Sequence, residues 1–437
     1  MSGKPDTPLL GKVERITHDG RGIVFWEGRA IFVEGTLPGE EVLFKISRLK
    51  RDWGEGYLVE VKTPHPRRID PPCPHYHFCG GCALQHLDPE AQLQLKAELL
   101  KEQLLRIGKL EPPQLWPPIR GPVWGYRRKA RLGVRYVKKQ QRVFVGFRQK
   151  RSSRIADLKR CPVLHPSVGE RLEEIAETVG RLSIRDKLPQ IEVAVGDNRT
   201  ALVFRVLAEP STTDLAILKE LGSRLDYDVY LQPQGPESVT PLFPERPERL
   251  FYSLPFGIKL FFEPLDFTQV NAEINRKLIR RVLELLDPKP DETVLDLFCG
   301  VGNFTLPLAR RAAHVVGVEG NRSAVLRAEQ NAKANRIGNL SLFITDLTGD
   351  LSPFPWSASR YDKVLLDPAR SGALEVMAWI PKWRPKRVVY VSCNPATLAR
   401  DLGVLVRHHG YRLLGAGVVD MFPHTAHLES IALLEPP

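Results

Sequence analysis

The sequence has few cysteines and no long apolar run, and both features restrict the classes of protein to which it can belong. No apolar stretch approaches the roughly 18 residues that a membrane-spanning helix requires, and residues 1–5 do not resemble an export signal. Only 6 of the 437 residues are cysteines, and without export we expect reduced thiols instead of disulfides. The sequence therefore predicts a cytoplasmic protein without a membrane partner, and its 43% hydrophobic content is sufficient for two or three folded domains.

Acidic residues are scarce in one part of the chain. Lysine and arginine outnumber aspartate and glutamate by 63 to 51, which gives a net charge of +12. Between Arg120 and Arg160 there are 15 basic residues and a single acid, with several aromatic residues among them. Cations that alternate with aromatic rings are typical of surfaces that bind RNA phosphates and stack on bases, so we expect Arg127, Arg128 and Lys139 to contact RNA. A solvated basic face is the alternative.

A nucleotide-binding turn is present, but it lacks the third glycine of a dinucleotide-binding motif. The apolar segment 293–297 leads into Gly300 and Gly302 and then into a helix-forming stretch, and Thr305 stands where the third glycine would be. The next predicted strand ends in Glu319, an acid suited to binding both hydroxyls of a ribose. This pattern is similar to that of class I S-adenosylmethionine methyltransferases.

Two further predicted strands also end in acidic residues. The segment 340–344 precedes Asp346, at the position where such folds contact adenine, and the segment 363–366 precedes Asp367, at the position that faces the methyl acceptor. Enzymes that methylate amino groups commonly have a Pro-Pro-aromatic sequence there. This chain has Asp-Pro-Ala-Arg instead, which argues against an amine acceptor.

One cysteine follows a predicted buried strand and precedes an Asn-Pro turn. Cys393 on such a stiff loop is suited to covalent catalysis. A carbon acceptor such as C5 of uracil needs this help, because addition of a thiolate to C6 activates C5 and a base then removes the C5 proton. Glu429 is the candidate base. The second cysteine that cytosine-C5 enzymes typically use is lacking, since Cys299 lies in the cofactor turn. The alternatives are a buried structural cysteine and a solvated glutamate.

Together these segments resemble the RNA uracil-5-methyltransferases, and most closely the branch that modifies 23S rRNA and carries an iron–sulfur cluster. The resemblance extends over nearly the whole chain and rests on segments 267–271, 296–305, 367–370, 392–395 and 427–430. It implies that Cys393 is the nucleophile and Glu429 the base. It also implies that S-adenosylmethionine is bound by Gln269, Phe298, Asn303, Glu319, Asp346 and Asp367.

The other four cysteines form a candidate metal site. Cys73, Cys79 and Cys82 are closely spaced, and Cys161 precedes a proline. Four thiolates suit either tetrahedral zinc or a four-iron cluster, and two nearby histidines also permit a mixed zinc site, so spacing alone leaves the metal open. The resemblance to the family implies a 4Fe–4S cluster held by these four cysteines.

We expect three domains. Residues 1–65 alternate short strands with glycine and proline turns, which predicts an OB-like β-barrel, and they resemble an RNA-binding TRAM domain; a structural cap is the alternative. Residues 66–255 are expected to form a central α+β iron–sulfur domain. Residues 256–437 are expected to form an α/β Rossmann-like class I methyltransferase domain, and the resemblance implies that a predicted helix at 89–107 docks on it.

These features predict a monomeric enzyme that methylates C5 of one uridine in structured RNA, and the resemblance favours 23S rRNA. A tRNA uridine-C5 methyltransferase is the alternative within the family. From another class, the alternative is an iron–sulfur RNA-binding or sensor protein whose methyltransferase fold is vestigial. The presence of both Cys393 and Glu429 argues against a vestigial domain.

Overall fold

The computed structural model describes residue 5 and residues 7–437, and the chain divides into two compact units. The first unit comprises Met1–Leu99, Arg148–Arg154 and Phe422–His427. The second unit comprises Leu100–Phe147, Ile155–Met421 and Leu428–Pro437. The three-domain organisation expected from the sequence stays a prediction.

A closed barrel lies in the first unit. Its strands are β1 (Leu9–Ile16), β2 (Arg21–Trp26), β3 (Arg29–Glu34), β4 (Glu41–Leu49) and β5 (Trp53–Thr63). They are hydrogen-bonded in the order β1-β2-β3-β5-β4, and β4 closes the barrel by pairing with β1. Inward-facing side chains such as Val13, Ile31 and Phe44 are buried, as the two-residue repeat of a strand requires. The barrel predicted from the sequence is confirmed.

A turn-rich segment, residues 64–88, follows the barrel and is fastened to it by a buried carboxylate. Arg68 donates to both carboxylate oxygens of Glu40, at 2.5 and 2.8 Å, and Glu40 is fully buried. Glu40 also accepts hydrogen bonds from the backbone N–H groups of Leu37 and His65. Burial acts to raise the pKa of Glu40, but these hydrogen bonds, the one from Arg68 foremost, lower it below its usual value.

The second unit contains an eight-stranded sheet, a six-stranded sheet and a two-stranded hairpin. The strands are β6 (Leu115–Ile119), β7 (Lys129–Val137), β8 (Arg142–Gly146), β9 (Gln190–Val195), β10 (Thr200–Arg205), β11 (Tyr227–Gln232), β12 (Thr240–Phe243), β13 (Leu250–Ser253), β14 (Lys259–Phe262), β15 (Thr293–Leu297), β16 (His314–Glu319), β17 (Leu340–Ile344), β18 (Lys363–Leu366), β19 (Arg387–Ser392), β20 (Arg412–Val419) and β21 (Glu429–Glu435). The six-stranded sheet has the order β12-β11-β10-β9-β7-β8, and β13 pairs with β14.

The helices are short to medium in length. The α-helices are α1 (Pro89–Gln103), α2 (Pro166–Gly169), α3 (Leu172–Arg181), α4 (Thr212–Leu225), α5 (Ala272–Leu286), α6 (Thr305–Ala309), α7 (Arg322–Ala334), α8 (Ile380–Trp383) and α9 (Pro395–His409). A π-helix, Leu104–Gly108, extends α1, and 3-10 turns lie at Lys138–Gln140, Pro236–Ser238, Pro255–Gly257, Pro355–Ala358 and Leu374–Ala378. Among the described helices, none is long and apolar enough to cross a membrane.

The eight-stranded sheet has the order β17-β16-β15-β18-β19-β21-β20-β6. Its strands from β17 to β19 are parallel, and β21 is antiparallel to both β19 and β20. The order reverses between β15 and β18, because β15 connects toward β16 on one side and pairs with β18 on the other. Ligands of open α/β sheets bind outside the carboxyl ends of the strands at such a reversal. The class I methyltransferase fold predicted from the sequence is confirmed.

The π-helix packs against α9 in the second unit. Leu100 and Leu104 are fully buried. A Cβ atom added to Gly108 would lie 2.7 Å from the carbonyl oxygen of Ala399, and one added to Gly403 would lie 3.0 Å from the carbonyl oxygen of Gly108. Paired glycines let the two backbones approach closely. This contact holds α9, which begins two residues after Cys393.

Candidate active site

The loop after β15 adopts backbone conformations that glycine favours. Phe298, Gly300 and Gly302 have φ angles of 64°, 54° and 94°, in the left-handed region. A Cβ atom on Gly302 would lie 2.2 Å from Leu306 Cδ1, so this position accepts only glycine without rearrangement. The strained, side-chain-poor loop lies at the carboxyl edge of the sheet, where a ligand could approach its backbone N–H groups.

Glu319 ends β16 and lies against this loop. One of its carboxylate oxygens accepts the N–H of Gly300 at 3.2 Å, and the other accepts the N–H of Asn321 at 2.8 Å. Because Leu297 and Val318 are register partners in the parallel pair, Glu319 projects one residue beyond, at the same edge of the sheet. The structure therefore brings Glu319 and the glycine turn together.

Asn303 is held by two buried side chains that the sequence analysis did not identify. Its side-chain oxygen accepts hydrogen bonds from the Tyr252 hydroxyl at 3.1 Å and from the Asn275 amide at 2.7 Å, and its own amide donates to Asn275 at 3.0 Å. Tyr252 is 6% exposed and Asn275 is 1% exposed. Asn275 lies four residues after the helix-capping Asn271, a spacing that places both on one face of α5, and this was the available signal.

Asp296 is fully buried in β15 below the loop. One carboxylate oxygen accepts the Thr305 hydroxyl at 2.6 Å, and the other has no hydrogen-bond partner among the described residues. Burial raises the pKa of Asp296 to about 7 against the lowering effect of the Thr305 hydrogen bond, and the charges of Asp367 and Glu319 add to the rise. Carboxyl groups thus converge near the ends of β15, β16 and β18, and a positively charged ligand there would favour their ionised forms.

Asp346 and Gln269 lie on loops of the second unit. Asp346 accepts the N–H and the hydroxyl of Thr348 at 2.9 and 2.8 Å, and these bonds lower its pKa. Its neighbour Thr345 donates its N–H to the Glu319 carbonyl at 3.0 Å, which joins the ends of β16 and β17. Gln269 lies between β14 and α5, beside the highly exposed Phe267. The structure therefore places Asp346 at the carboxyl edge of the sheet, and the cofactor-binding roles of Asp346 and Gln269 stay predictions.

Cys393 comes directly after the end of β19, and Glu429 is the first residue of the neighbouring antiparallel strand β21. In the β19–β21 pair, Val391 is opposite Ile431 and Ser392 is opposite Ser430, so the next position in the same register places Cys393 opposite Glu429. Opposed residues in an antiparallel pair have Cα atoms about 4.5–5.5 Å apart. Asp367 follows β18, which pairs with β19 on its other side. The structure brings the predicted nucleophile, the predicted base and Asp367 to one edge of the sheet.

The electrostatics of these three groups are coupled. Burial raises the pKa of Glu429 to about 7, and its Oε2 atom has no hydrogen-bond partner among the described residues. Burial, and then the charge of Glu429, raise the pKa of Asp367 well above its usual range. Burial and the same two carboxyls raise the pKa of the Cys393 thiol, whereas Arg370 lowers it. A carboxyl with a pKa near 7 is suited to exchanging a proton at neutral pH.

The Cys393 loop is fastened to the loop that follows Asp367. Asn394 caps α9 by accepting the N–H of Ala396 at 3.1 Å, and its amide donates to the carbonyl of Arg370 at 3.0 Å. Gly372 has a φ angle of 81°, and a Cβ atom there would lie 2.6 Å from Asp401 Oδ2. The close contact between the two loops therefore depends on glycine at this position.

Asp401 provides a second set of hydrogen bonds around Cys393, which the sequence analysis did not identify. Its fully buried carboxylate accepts hydrogen bonds from the Tyr390 hydroxyl at 2.7 Å, the Ala373 N–H at 2.8 Å and Arg400 Nε at 2.7 Å. These bonds connect β19, the loop after β18 and α9 around Cys393. Two of these partners, Tyr390 and Ala373, are 11 and 28 residues away from Asp401 in sequence, so no local motif signals them.

The four cysteines predicted to hold a cluster belong to different units of the chain. Cys73, Cys79 and Cys82 are in the first unit and Cys161 is in the second. In the first unit, Cys79 Sγ accepts the N–H of Gly81 at 3.4 Å. Burial lowers the pKa of Lys150, while Cys79 and Cys82 raise it, which means that both thiols lie near this ammonium. An N–H donor and a nearby cation suit thiolate ligands.

The structure does not show an assembled metal site. Within the described residues there is no disulfide, and no group of three or more histidine, cysteine or carboxylate side chains is arranged to hold a metal ion. The iron–sulfur cluster and the iron–sulfur domain therefore stay predictions.

Comparisons with known proteins agree with the geometry of the second unit. The profile of the tRNA (Uracil-5-)-methyltransferase family matches residues 259–436. The 23S rRNA (uracil(1939)-C(5))-methyltransferase RlmD of Methylococcus capsulatus is 54% identical over 99% of this chain and 98% of its own length. The protein of the same name from Alcanivorax borkumensis is 49% identical over 99% of this chain and 97% of its own length.

A solved structure matches almost the whole fold. The crystal structure of Pyrococcus abyssi tRNA (uracil-54, C5)-methyltransferase in complex with S-adenosyl-L-homocysteine has a TM-score of 0.73 and 26% identity, and the match covers 97% of this chain and 99% of that one. Identity near one half over full length, together with the class I fold and the Cys393–Glu429 pair, is decisive: this chain belongs to the RNA uracil-5-methyltransferase family.

Proposed function

We propose that this protein transfers a methyl group from S-adenosylmethionine to C5 of a uridine in 23S rRNA. The observation that carries the proposal is that Cys393 and Glu429 lie next to the paired residues Ser392 and Ser430 of β19 and β21, at the same edge of the sheet as Glu319. These are the two groups that methylation of a pyrimidine carbon needs, a nucleophile for C6 and a base for the C5 proton. The choice of 23S rRNA is supported by the names of the relatives that are 54% and 49% identical.

In the proposed reaction Cys393 acts twice, first as the nucleophile and last as the leaving group. Glu429 acts once, as the base between these two steps. The Cys393 thiolate adds to C6 of the uracil ring, which makes C5 electron-rich. S-adenosylmethionine supplies the electrophilic methyl group that C5 takes up. The Glu429 carboxylate then removes the proton from C5, the C5–C6 double bond forms again, and the C6–sulfur bond breaks to return the Cys393 thiolate. The net products are 5-methyluridine, S-adenosylhomocysteine and one proton, which Glu429 first holds.

The cofactor is proposed to lie along the carboxyl edge of the eight-stranded sheet. Glu319 would bind the ribose hydroxyls, and Asp346 the adenine end, since the backbone contact between Thr345 and Glu319 places them at neighbouring strand ends. The Phe298 loop and Asn303 would border the methionine portion, with Asp367 between the cofactor and Cys393. Gln269 is included on family resemblance.

We also retain a 4Fe–4S cluster on Cys73, Cys79, Cys82 and Cys161 as part of the proposal. Its support is the sequence resemblance and the chemistry of the thiols, not their arrangement. When bound, the cluster would supply structural or RNA-positioning order, because methyl transfer as written needs no electron. The TRAM character of the barrel, the monomeric state and the cytoplasmic location stay predictions.

Methylation of defined transcripts tests the proposal. Purified protein is incubated with methyl-labelled S-adenosylmethionine and either a 23S rRNA fragment or a set of tRNA transcripts, and the product is digested and mapped by mass spectrometry. We expect label at C5 of a single uridine in the 23S rRNA fragment, and none when that uridine is replaced by cytidine. Label in tRNA alone would favour the activity named for the Pyrococcus abyssi protein, and label on a base nitrogen would contradict the proposed chemistry.

A further inference from the structure

The basic block between Arg120 and Arg160 is not one continuous charged surface. Several of its cations are engaged by protein partners. Arg128 pairs with Asp197, and Arg131 with Glu192 at 2.5 Å. Arg142 pairs with Asp157 at 3.1 Å, and Arg127 donates to the carbonyl of Lys129 and lies over the Phe147 ring. Arg127 and Arg128 therefore already have protein partners, and the expectation that they contact RNA stays a prediction.

The cations that remain converge at one end of the six-stranded sheet. Along β7, residues 130, 132 and 134 are buried, so Arg131 and Arg135 share the exposed face. The 3-10 turn after β7 exposes Lys138 and Lys139, and it ends at Gln141 in a left-handed conformation. No carboxylate in the described part of the chain forms an ion pair with Arg135, Lys138 or Lys139. These charges are therefore uncompensated by the protein.

A groove of about 570 Å³ lies between this turn and the loop that precedes β9. We name it the basic groove and define its charged residues as Arg135, Lys138, Lys139, Arg185 and Asp186. Arg185 stacks over the Tyr136 ring at 4.8 Å, which holds a fourth cation in the wall, and Asp186 lies 3.9 Å from Lys187. The apolar Leu207, 59% exposed, completes one side.

A second groove of the same unit provides an internal comparison. It has a volume of about 540 Å³, and its lining includes four cations and four glutamates. Arg171 lies 3.7 Å from Glu174, Arg224 pairs with the same glutamate, and Arg181 lies 3.1 Å from Glu220. We name this the balanced groove. The two grooves are alike in size and differ in charge compensation, so a comparison between them isolates the effect of unpaired positive charge.

We infer that the basic groove binds the phosphate backbone of a single RNA strand of the substrate, outside the active site. Uncompensated cations on a concave surface select phosphodiesters, while the exposed Leu207 offers apolar surface to a base or ribose. The inference rests on the proposed function for the identity of the polyanion. An acidic protein segment would not release condensed counterions on binding, so the salt dependence of binding separates the two partners.

The test compares two triple variants that each remove three positive charges. The first is Arg135→Gln, Lys138→Gln and Lys139→Gln, and the matched control is Arg171→Gln, Arg181→Gln and Arg224→Gln in the balanced groove. Affinity for a fluorescent 23S rRNA fragment is measured by anisotropy from 0.05 to 0.3 M salt. Each phosphate contact on a single strand contributes about 0.7 to the salt slope, so the first variant should lose about two from the slope and about a hundredfold in affinity at about 0.1 M salt. The control should remain close to wild type.

Further measurements distinguish a direct effect of the basic groove on RNA binding from loss of folding and from failure of the proposed function. S-adenosylmethionine affinity should be the same in both variants, which excludes loss of folding, and the charge-preserving pair Lys138→Arg and Lys139→Arg should bind RNA like wild type. Equal weakening in both triple variants would mean that only net charge matters, and unchanged binding in the first variant would move the RNA to another surface; either result overturns the inference. Absence of methylation by wild-type protein that still binds RNA through the groove would overturn the proposed function alone.

Discussion

Replacing Glu429 with glutamine measures the folding free energy that is lost when this buried carboxyl is ionised. Glu429 is 4% exposed, one of its oxygens has no partner among the described residues, and burial raises its pKa from 4.5 to about 7. A pKa difference of this size corresponds to about 3 kcal/mol of folding free energy, since each pKa unit is worth about 1.4 kcal/mol. Because the folded pKa is raised, the cost is absent below pH 4.5, grows as the pH rises, and is complete above about pH 7.

The assay is the free energy of unfolding of cofactor-free protein in urea at several values between pH 5 and pH 8. Glu429→Gln should be more stable than wild type by less than about 1 kcal/mol at pH 5 and by about 3 kcal/mol at pH 8. Glu435→Gln on the same strand is the matched control, because it removes surface ion pairs with Arg387 and Arg412 that are worth at most about 1 kcal/mol. A difference between Glu429→Gln and wild type that does not change with pH would refute the conclusion that burial holds this base near neutrality.

Two further predictions concern the supports of the site. Gly372→Ala should destabilise the protein by about 1–3 kcal/mol and reduce methyl transfer, because it forces a side chain into a left-handed conformation against Asp401, whereas Gly338→Ala, with nothing within 4 Å, should have little effect in the same melting and activity assays. Anaerobically purified protein should contain about four irons per chain, and Cys79→Ser should lower folding yield or RNA binding more than the turnover of the folded fraction; stoichiometric zinc without iron would reject the cluster.

Much of the structure of the second unit around the candidate active site can be predicted from local sequence signals. The strand, Gly-x-Gly turn and acid of β15 and β16 are close in sequence, and each has a strong local preference, so the position of Glu319 beside Gly300 could be anticipated. The same holds for Cys393, because a β-branched strand followed by an Asn-Pro turn predicts a strand end and a helix start. In both cases the sequence predicted a reactive or ligand-binding side chain at the end of a strand.

Contacts between segments that are far apart in the sequence could not be predicted from local patterns. Cys393 and Glu429 are brought to one edge by the antiparallel pairing of β19 with β21, which joins residues about forty positions apart and which no local pattern specifies. The Asp401 and Asn275 contacts are buried hydrogen bonds between elements, and their residue types are common elsewhere on the surface. Charge counting also treats all cations of the basic block alike, since composition cannot tell Arg128, which pairs with Asp197, from Lys138.

Covalent trapping tests the central claim most directly. RNA that carries 5-fluorouridine at the target position blocks the step of Glu429, because fluorine at C5 cannot be removed as a proton, and it should leave the RNA bonded to the protein through C6. Intact mass spectrometry should show one RNA per chain plus a methyl group, and peptide mapping should place the bond on Cys393. Cys393→Ala should form no such complex although it still binds S-adenosylmethionine. A complex of equal yield in Cys393→Ala, or a bond mapped to Cys299, would contradict the account.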